Sequence, residues 1–370
     1  MLHRLNAIDD NKRIVRLTQI VNELIEFVCH PDNPFCEDEP NDLKSRIVAT
    51  CPDPLMADWI GNPQGKFLKQ KITAVVQYVA AHPDQRNLLS SAFQHDVAYH
   101  QHLNDTSFAF EFSQLDQELQ SRIHFLMVWL YENLEDNGYP IVVMGDGQPF
   151  SRGNYLVLWE ERNGTLNVCP ACDGKKPDIG RKKHRLSDLD HFLPKSVYPL
   201  LALHPRNLVP ICIECNQRIK GDTDPLADNG AVSFSHSFHP YAAPAAIDVI
   251  EVTCQRDFNG VPQVRIEDRD LGGQSARVVS LNRLFDLDNR WTGRIPEVEA
   301  SLLDKISGWV DSFVSADIPT EEKHKAIRDG VDADRDRVKV GSQPNRILYR
   351  SYLSFVMLDA AEFEQMLSGV

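Results

Sequence analysis

The sequence lacks any apolar run approaching the ~18 to 20 residues of a membrane-spanning helix. Its opening, MLHRLNAIDDNKR, lacks the apolar stretch of a secretory signal. The expectation is a cytoplasmic protein without membrane attachment. Cysteine is scarce: eight in 370 residues are too few for a disulfide framework. Cys29, Cys36, Cys51 and Cys254 are scattered and read as reduced thiols, whereas the other four form two Cys-x-x-Cys pairs. Positive charge is short as well. Thirty-nine Lys and Arg against 53 Asp and Glu leave a net charge of −14, which argues against a surface that coats nucleic acid throughout. There is no internal repeat and no low-complexity tail, and the GDG at 145–147 is too brief for a phosphate loop.

What is present is an ordinary globular composition, 42% hydrophobic and 25% charged, in a chain long enough for two or three units of roughly 100 to 200 residues. Apolar residues at Ile14, Leu17, Val21, Leu24 and Val28 recur with a helical period. The same period returns over 66–81, 86–102 and 113–135. Between the first two of these segments Pro31, Pro34, Pro40, Pro52, Pro54 and Pro63 predict an irregular connection with at most one short helix. IVVMGDG (141–147) reads as a strand, and YLVLWEERNGTLNV (155–168) as two strands turning at Asn163-Gly164. DVIEVTC and VPQVRIED predict a further hairpin around 257–260, followed by helices over 277–291, 297–314, 320–338 and 345–367. The expected fold class is α+β. A helical region (1–140) and a hairpin-plus-helix region (246–370) flank a central unit (141–245).

The central unit holds the chemistry. Cys169 and Cys172, with Cys212 and Cys215 after 39 intervening residues, have the form of a closed four-thiolate zinc site, which is structural because it leaves no open coordination position. Between the pairs lie Asp190-His191 at the end of an extended segment, a proline-bearing loop, Asn207-Leu-Val-Pro, and the helix-like CIECNQRIKG. In that strand, loop, strand, helix order, an Asp and a helix Asn can hold one divalent cation beside a His. The charge is local too. From Arg162 to Asp222, eleven Lys and Arg face six Asp and Glu, a surplus of five, so the rest of the chain carries −19. A basic island in an acidic chain suits a polyanion.

The pattern DH, then Asn207 after fifteen intervening residues, then Asn216 after eight more, resembles the HNH motif of the ββα-metal endonucleases. The finer wording, DHFLPKS with NLVPICIECNQRIKGD and later FHPY, is similar to the HNH nucleases of Septu and retron-associated antiphage systems, over about residues 165–241. The resemblance implies His191 as general base, Asp190 and Asn216 as ligands of a catalytic Mg²⁺ or Mn²⁺, and Asn207 as the brace that orients the His. It implies DNA cleavage to a 3′-hydroxyl and 5′-phosphate, a role in defence, and a partner ATPase. Asn216 stands where many members carry a final His, which leaves the metal preference open.

Lys195 and Lys220 are candidate phosphate contacts, as are Lys182 and Lys183 within the basic tract 175–185. His239 in FHPY either packs or assists catalysis. An RNA or tRNA substrate suits the same centre, and double-strand cleavage calls for a homodimer or repeated nicking. A non-catalytic zinc-knuckle adaptor is the contrasting reading; it accounts for the cysteines and the basic tract but not for the Asp, His and two Asn at this spacing.

Overall fold

The structure, a computed structural model, describes residues 1–36, 43–61, 66–136, 139–177, 188–228, 230–270, 272–313 and 319–368. Asn11 starts the first long helix, α1 (Lys12–Val28): its side-chain oxygen accepts the Arg13 N–H at 3.0 Å, and the periodic apolar residues face inward. The proline-rich stretch that follows holds two short helices, α2 (Leu43–Thr50) and α3 (Pro54–Gly61), where at most one was expected. Proline is compatible with this because Pro54 occupies the first turn of α3, whose start is capped by Asp53 Oδ1 accepting from Leu55 N at 2.7 Å. The amphipathic segments downstream form α4 (Lys66–Ala81), α5 (Pro83–Val97) and α6 (Gln117–Asp136).

Two strand expectations fail. Residues 141–144 form a helical turn, α7 (Ile141–Met144), and the expected hairpin at 155–168 is α8 (Arg152–Asn163). The run YLVLW is apolar at consecutive positions, so alternation does not distinguish strand from helix. The deciding groups are the fully buried Tyr155 and Trp159, one helical turn apart, and the helix start, where Ser151 N–H donates to Asn154 Oδ1 at 2.9 Å. Asn163-Gly164 ends this helix instead of turning a hairpin.

Next comes a small antiparallel pair, β1 (Asp188–His191) and β2 (Leu208–Ile211), with Asp190 opposite Val209 and His191 opposite Leu208. A seven-residue π-helix, Glu214–Lys220, follows directly. After the two-residue strands β3 (Ala227–Asp228) and β4 (Ala231–Val232) and the turn α9 (Ala246–Val249), the expected hairpin is present as β5 (Ile250–Arg256) and β6 (Pro262–Asp268). The C-terminal helices are α10 (Ser275–Phe285), α11 (Leu287–Thr292), α12 (Ile295–Phe313), α13 (Thr320–Arg337), α14 (Arg346–Leu358) and α15 (Ala360–Ser368). The architecture is thus largely helical with small antiparallel sheets, a mixed fold compatible with α+β. The buried apolar side chains form one continuous cluster from Met1 to Met366, with β1 and β2 inside it. No described helix is long and apolar enough to cross a membrane.

Candidate functional site

Four cysteines converge first. The sulfurs of Cys169, Cys172, Cys212 and Cys215 all lie within 4.8 Å of one another, with Cys172 and Cys212 at 4.0 Å. The first pair sits on a tight turn, in which Cys169 N–H donates to the Gly174 carbonyl at 3.1 Å and Asp173 takes a positive φ of 54°. A Cβ at Gly174 would stand 2.9 Å from the Arg294 guanidinium and 3.1 Å from Cys172 Sγ, so any larger residue here would have to push the arginine aside and crowd the sulfur. Hydrogen bonds from Cys169 pull Cys172 and Cys212 towards thiolate, while burial holds the Cys169 thiol well up. Such a cluster suits a thiophilic dication that displaces all four protons, and the donor set fits zinc.

Around this knuckle the chain gathers distant segments. Buried Asp173 accepts from Ile347 N at 3.1 Å and bonds His3 Nε2 at 2.9 Å. Asn345 N–H donates to the Asp173 carbonyl, Trp291 Nε1 donates to the Cys172 carbonyl at 3.1 Å, and Arg290 reaches Cys215 Sγ at 3.3 Å. Arg290 also pairs with Glu214 at 2.8 Å, so a cation offsets the negative charge that four thiolates concentrate.

The second constellation begins one residue beyond the knuckle. Asn216 follows Cys215 on the π-helix and faces a pocket of about 330 Å³ that Asp190 and His191 also line. β1 ends in these two residues and β2 leads through Cys212 into the π-helix, so the two strands bring the groups together. The π turn closes where Gly221 N–H donates to the Asn216 carbonyl at 2.9 Å, with Gly221 at φ 50° and ψ −131°, a conformation open to glycine.

His191 is only 8% exposed and its orientation is fixed from behind. Its Nε2 donates to the Ala202 carbonyl at 2.9 Å, because a carbonyl can only accept, which leaves Nδ1 as the basic nitrogen of the ring. Tyr131 meets the imidazole edge to face at 4.3 Å. Burial, aided by the nearby Lys195 charge, lowers the His191 pKa to about 3, so the ring is neutral at physiological pH. Asn207, fully buried, braces the loop between β1 and β2. Its Oδ1 accepts from Leu193 N at 2.7 Å, and its Nδ2 donates to the carbonyls of Leu193 (3.0 Å) and Leu201 (3.1 Å). Leu201 precedes the carbonyl that holds His191, so Asn207 sets that carbonyl's place.

Lysine positions divide. Lys195 stands at the pocket wall with its ammonium 4.7 Å over the Tyr131 ring, able to meet a ligand. Lys220 corrects the expectation of a phosphate contact: it is 2% exposed, and its ammonium donates to Asp190 Oδ1 (3.1 Å), the His191 carbonyl (2.8 Å) and the Gly221 carbonyl (3.5 Å). Every ammonium proton is thereby used inside the protein. Lys182 and Lys183 lie outside the described residues. His239 packs: it is buried between Tyr99 and Phe192, and its Nδ1 accepts from Tyr241 N. Residues unforeseen in the sequence complete the pocket, namely Arg152 at the start of α8, Tyr131 from α6, Gln217 and Asp222. A correct helix reading of 152–163 was the available signal for Arg152.

Two curated proteins show partial similarity. "Protein ea31" of Escherichia phage lambda is 35% identical over 114 residues, 30% of this chain and 29% of that protein. "Septu protein PtuB" of Bacillus thuringiensis is 35% identical over 78 residues, 21% of this chain and 26% of that protein. The chain therefore matches less than a third of either relative's length. No family model matches, and no solved structure matches.

Proposed function

We propose that this chain is a metal-dependent HNH endonuclease that hydrolyses phosphodiester bonds of DNA as the effector of an antiphage defence system. The observation that carries the reading is the convergence of Asp190, His191 and Asn216 on one polar pocket, with His191 Nε2 committed to the Ala202 carbonyl. The β1, β2 and π-helix segment would serve as the ββα-metal unit, and the four-cysteine knuckle, loaded with structural zinc, would fix the start of its helix. Partial similarity to a Septu protein supports the defence setting, in which a partner ATPase would gate the enzyme.

In this reading His191 takes a proton from water through Nδ1. An anionic phosphodiester beside the ring stabilises the imidazolium and raises its basicity from the low value set by burial. Asp190 and Asn216 supply hard oxygen donors for Mg²⁺ or Mn²⁺, which when bound polarises the phosphate and stabilises charge on the leaving oxygen. Tyr131 and Ala202 keep the base aimed, and Lys195 and Arg152 draw the phosphate into the mouth.

The test is cleavage of supercoiled plasmid, beside total tRNA, by the zinc-loaded chain in Mg²⁺. Plasmid nicking is expected, and His191→Ala should lose about 10² to 10⁴ of the rate with zinc and fold retained. Cleavage of neither polymer, or undiminished cleavage by His191→Ala, would falsify the reading. Preferential loss of tRNA would redirect it to RNA.

A further inference from the structure

Lys220 has a role that the motif alone does not explain. Burying a lysine ammonium, as at Lys220 with 2% exposure, is costly unless it is paired and hydrogen-bonded. Here both conditions are met. The ammonium sits on Asp190 Oδ1 and on two backbone carbonyls, one from β1 and one at the end of the π-helix. The carboxylate assigned to the divalent cation therefore already has a monovalent partner within the fold. The pocket wall adds Lys195, whose ammonium stands 4.7 Å over the Tyr131 ring, so a second lysine lies in the same pocket as the Asp190–Lys220 pair. A dication entering alone must compete with Lys220 for the Asp190 carboxylate and meets Lys195 as well. A phosphodiester brings the further negative charge that offsets this competition.

We infer that Lys220 is the resident counter-cation of Asp190, a positioning residue that holds the carboxylate aimed without metal and makes divalent-cation binding depend on the arrival of a phosphodiester. This deepens the nuclease reading and rests on it for the identity of the anion. Lys220 thus serves two ends with one charge: it removes any structural need for the second metal, and it keeps the catalytic pocket weakly loaded until nucleic acid is present.

The experiment is calorimetric titration of Mg²⁺ into the zinc-loaded full chain, in a His191→Ala background that does not cut, with and without a short DNA duplex. The parent should bind Mg²⁺ on the order of ten-fold tighter with duplex than without. Lys220→Met should bind Mg²⁺ tightly without duplex and lose most of that gain. Lys220→Gln, which removes the charge but keeps a donor, covers the case in which Lys220→Met does not fold. Its Tm should rise with Mg²⁺ by more than the parent's, and adding Asp190→Asn should cancel the rise. An equal or weaker response to Mg²⁺ in the neutral variants overturns the inference. That outcome is separate from the plasmid assay, since a chain that cuts normally can fail it and a chain that cuts nothing can pass it.

Discussion

Asn207 shows how one buried side chain governs another through the backbone carbonyls it holds. Its amide spans Leu193 and Leu201, and the next carbonyl along, that of Ala202, holds His191. Asn207→Ala strands three buried backbone groups, at about 1 to 3 kcal/mol each where water cannot replace the partner. Partial relaxation of the loop brings the expected loss to roughly 3 kcal/mol, read as a shift of the urea midpoint with unchanged slope. Cleavage should fall further than stability explains, because the base is then free to rotate. If activity per folded molecule stays at the parent level, Asn207 is a packing residue only.

The same residues mark what was legible. Asp190, His191, Asn207 and Asn216 stood out because they lie within 27 positions of one another, where spacing along the chain constrains geometry in space. Lys220 was misassigned because an α-helical count from Asn216 gives a face but not its surroundings; a π turn ending at Gly221 directs the ammonium inward. Arg152 and Tyr131 come from helices separated from the motif by tens of residues, and no local pattern announces such a meeting.

At the scale of elements, glycine distinguishes a built turn from a tolerated gap. Gly221 at φ 50° and ψ −131° closes the π-helix in a backbone region that side chains disfavour, so Gly221→Ala should cost roughly 1 to 3 kcal/mol. Gly308 lies exposed in α12 with nothing near its missing Cβ, and Gly308→Ala should add about 0.5 to 1 kcal/mol through helix propensity. Chemical denaturation of the two variants should move in opposite directions. Movement in the same direction would sink the account of the turn. Elements also show where reading by pattern fails. α1, α4 and the β5–β6 hairpin have one clean period each, whereas α8 has a continuous apolar run whose helical state was settled by its cap and by burial of Tyr155 and Trp159.

At the scale of the molecule, the buried His239 and the half-buried His204 add to His191 in making stability depend on pH. Burial drives the His239 pKa well below its usual range, and burial with the neighbouring His100 lowers His204 to about 3. Both are neutral in the folded state, while the unfolded chain takes up protons below about pH 6.5. The unfolded state then binds more protons, so this contribution is intact above pH ~6.5 and declines on acidification towards pH ~3, by up to about 1.4 kcal/mol per pH unit for each histidine. Tm should fall between pH 7 and 5, and His239→Gln should flatten that slope. A slope unchanged by the substitution would place the acid sensitivity elsewhere.

The knuckle also bears on when the molecule becomes whole. A ribosome that has just released residue 222 has delivered all four cysteines and every group lining the pocket. Of the supports of the knuckle, His3 is already made, but Arg290 and Trp291 are about seventy codons away, and the backbone N–H groups of Asn345 and Ile347 that fasten Asp173 are later still. Assembly of the centre is thereby tied to the final stage of synthesis, and a transcript cut short before residue 290 yields a chain that has the motif but not its scaffold.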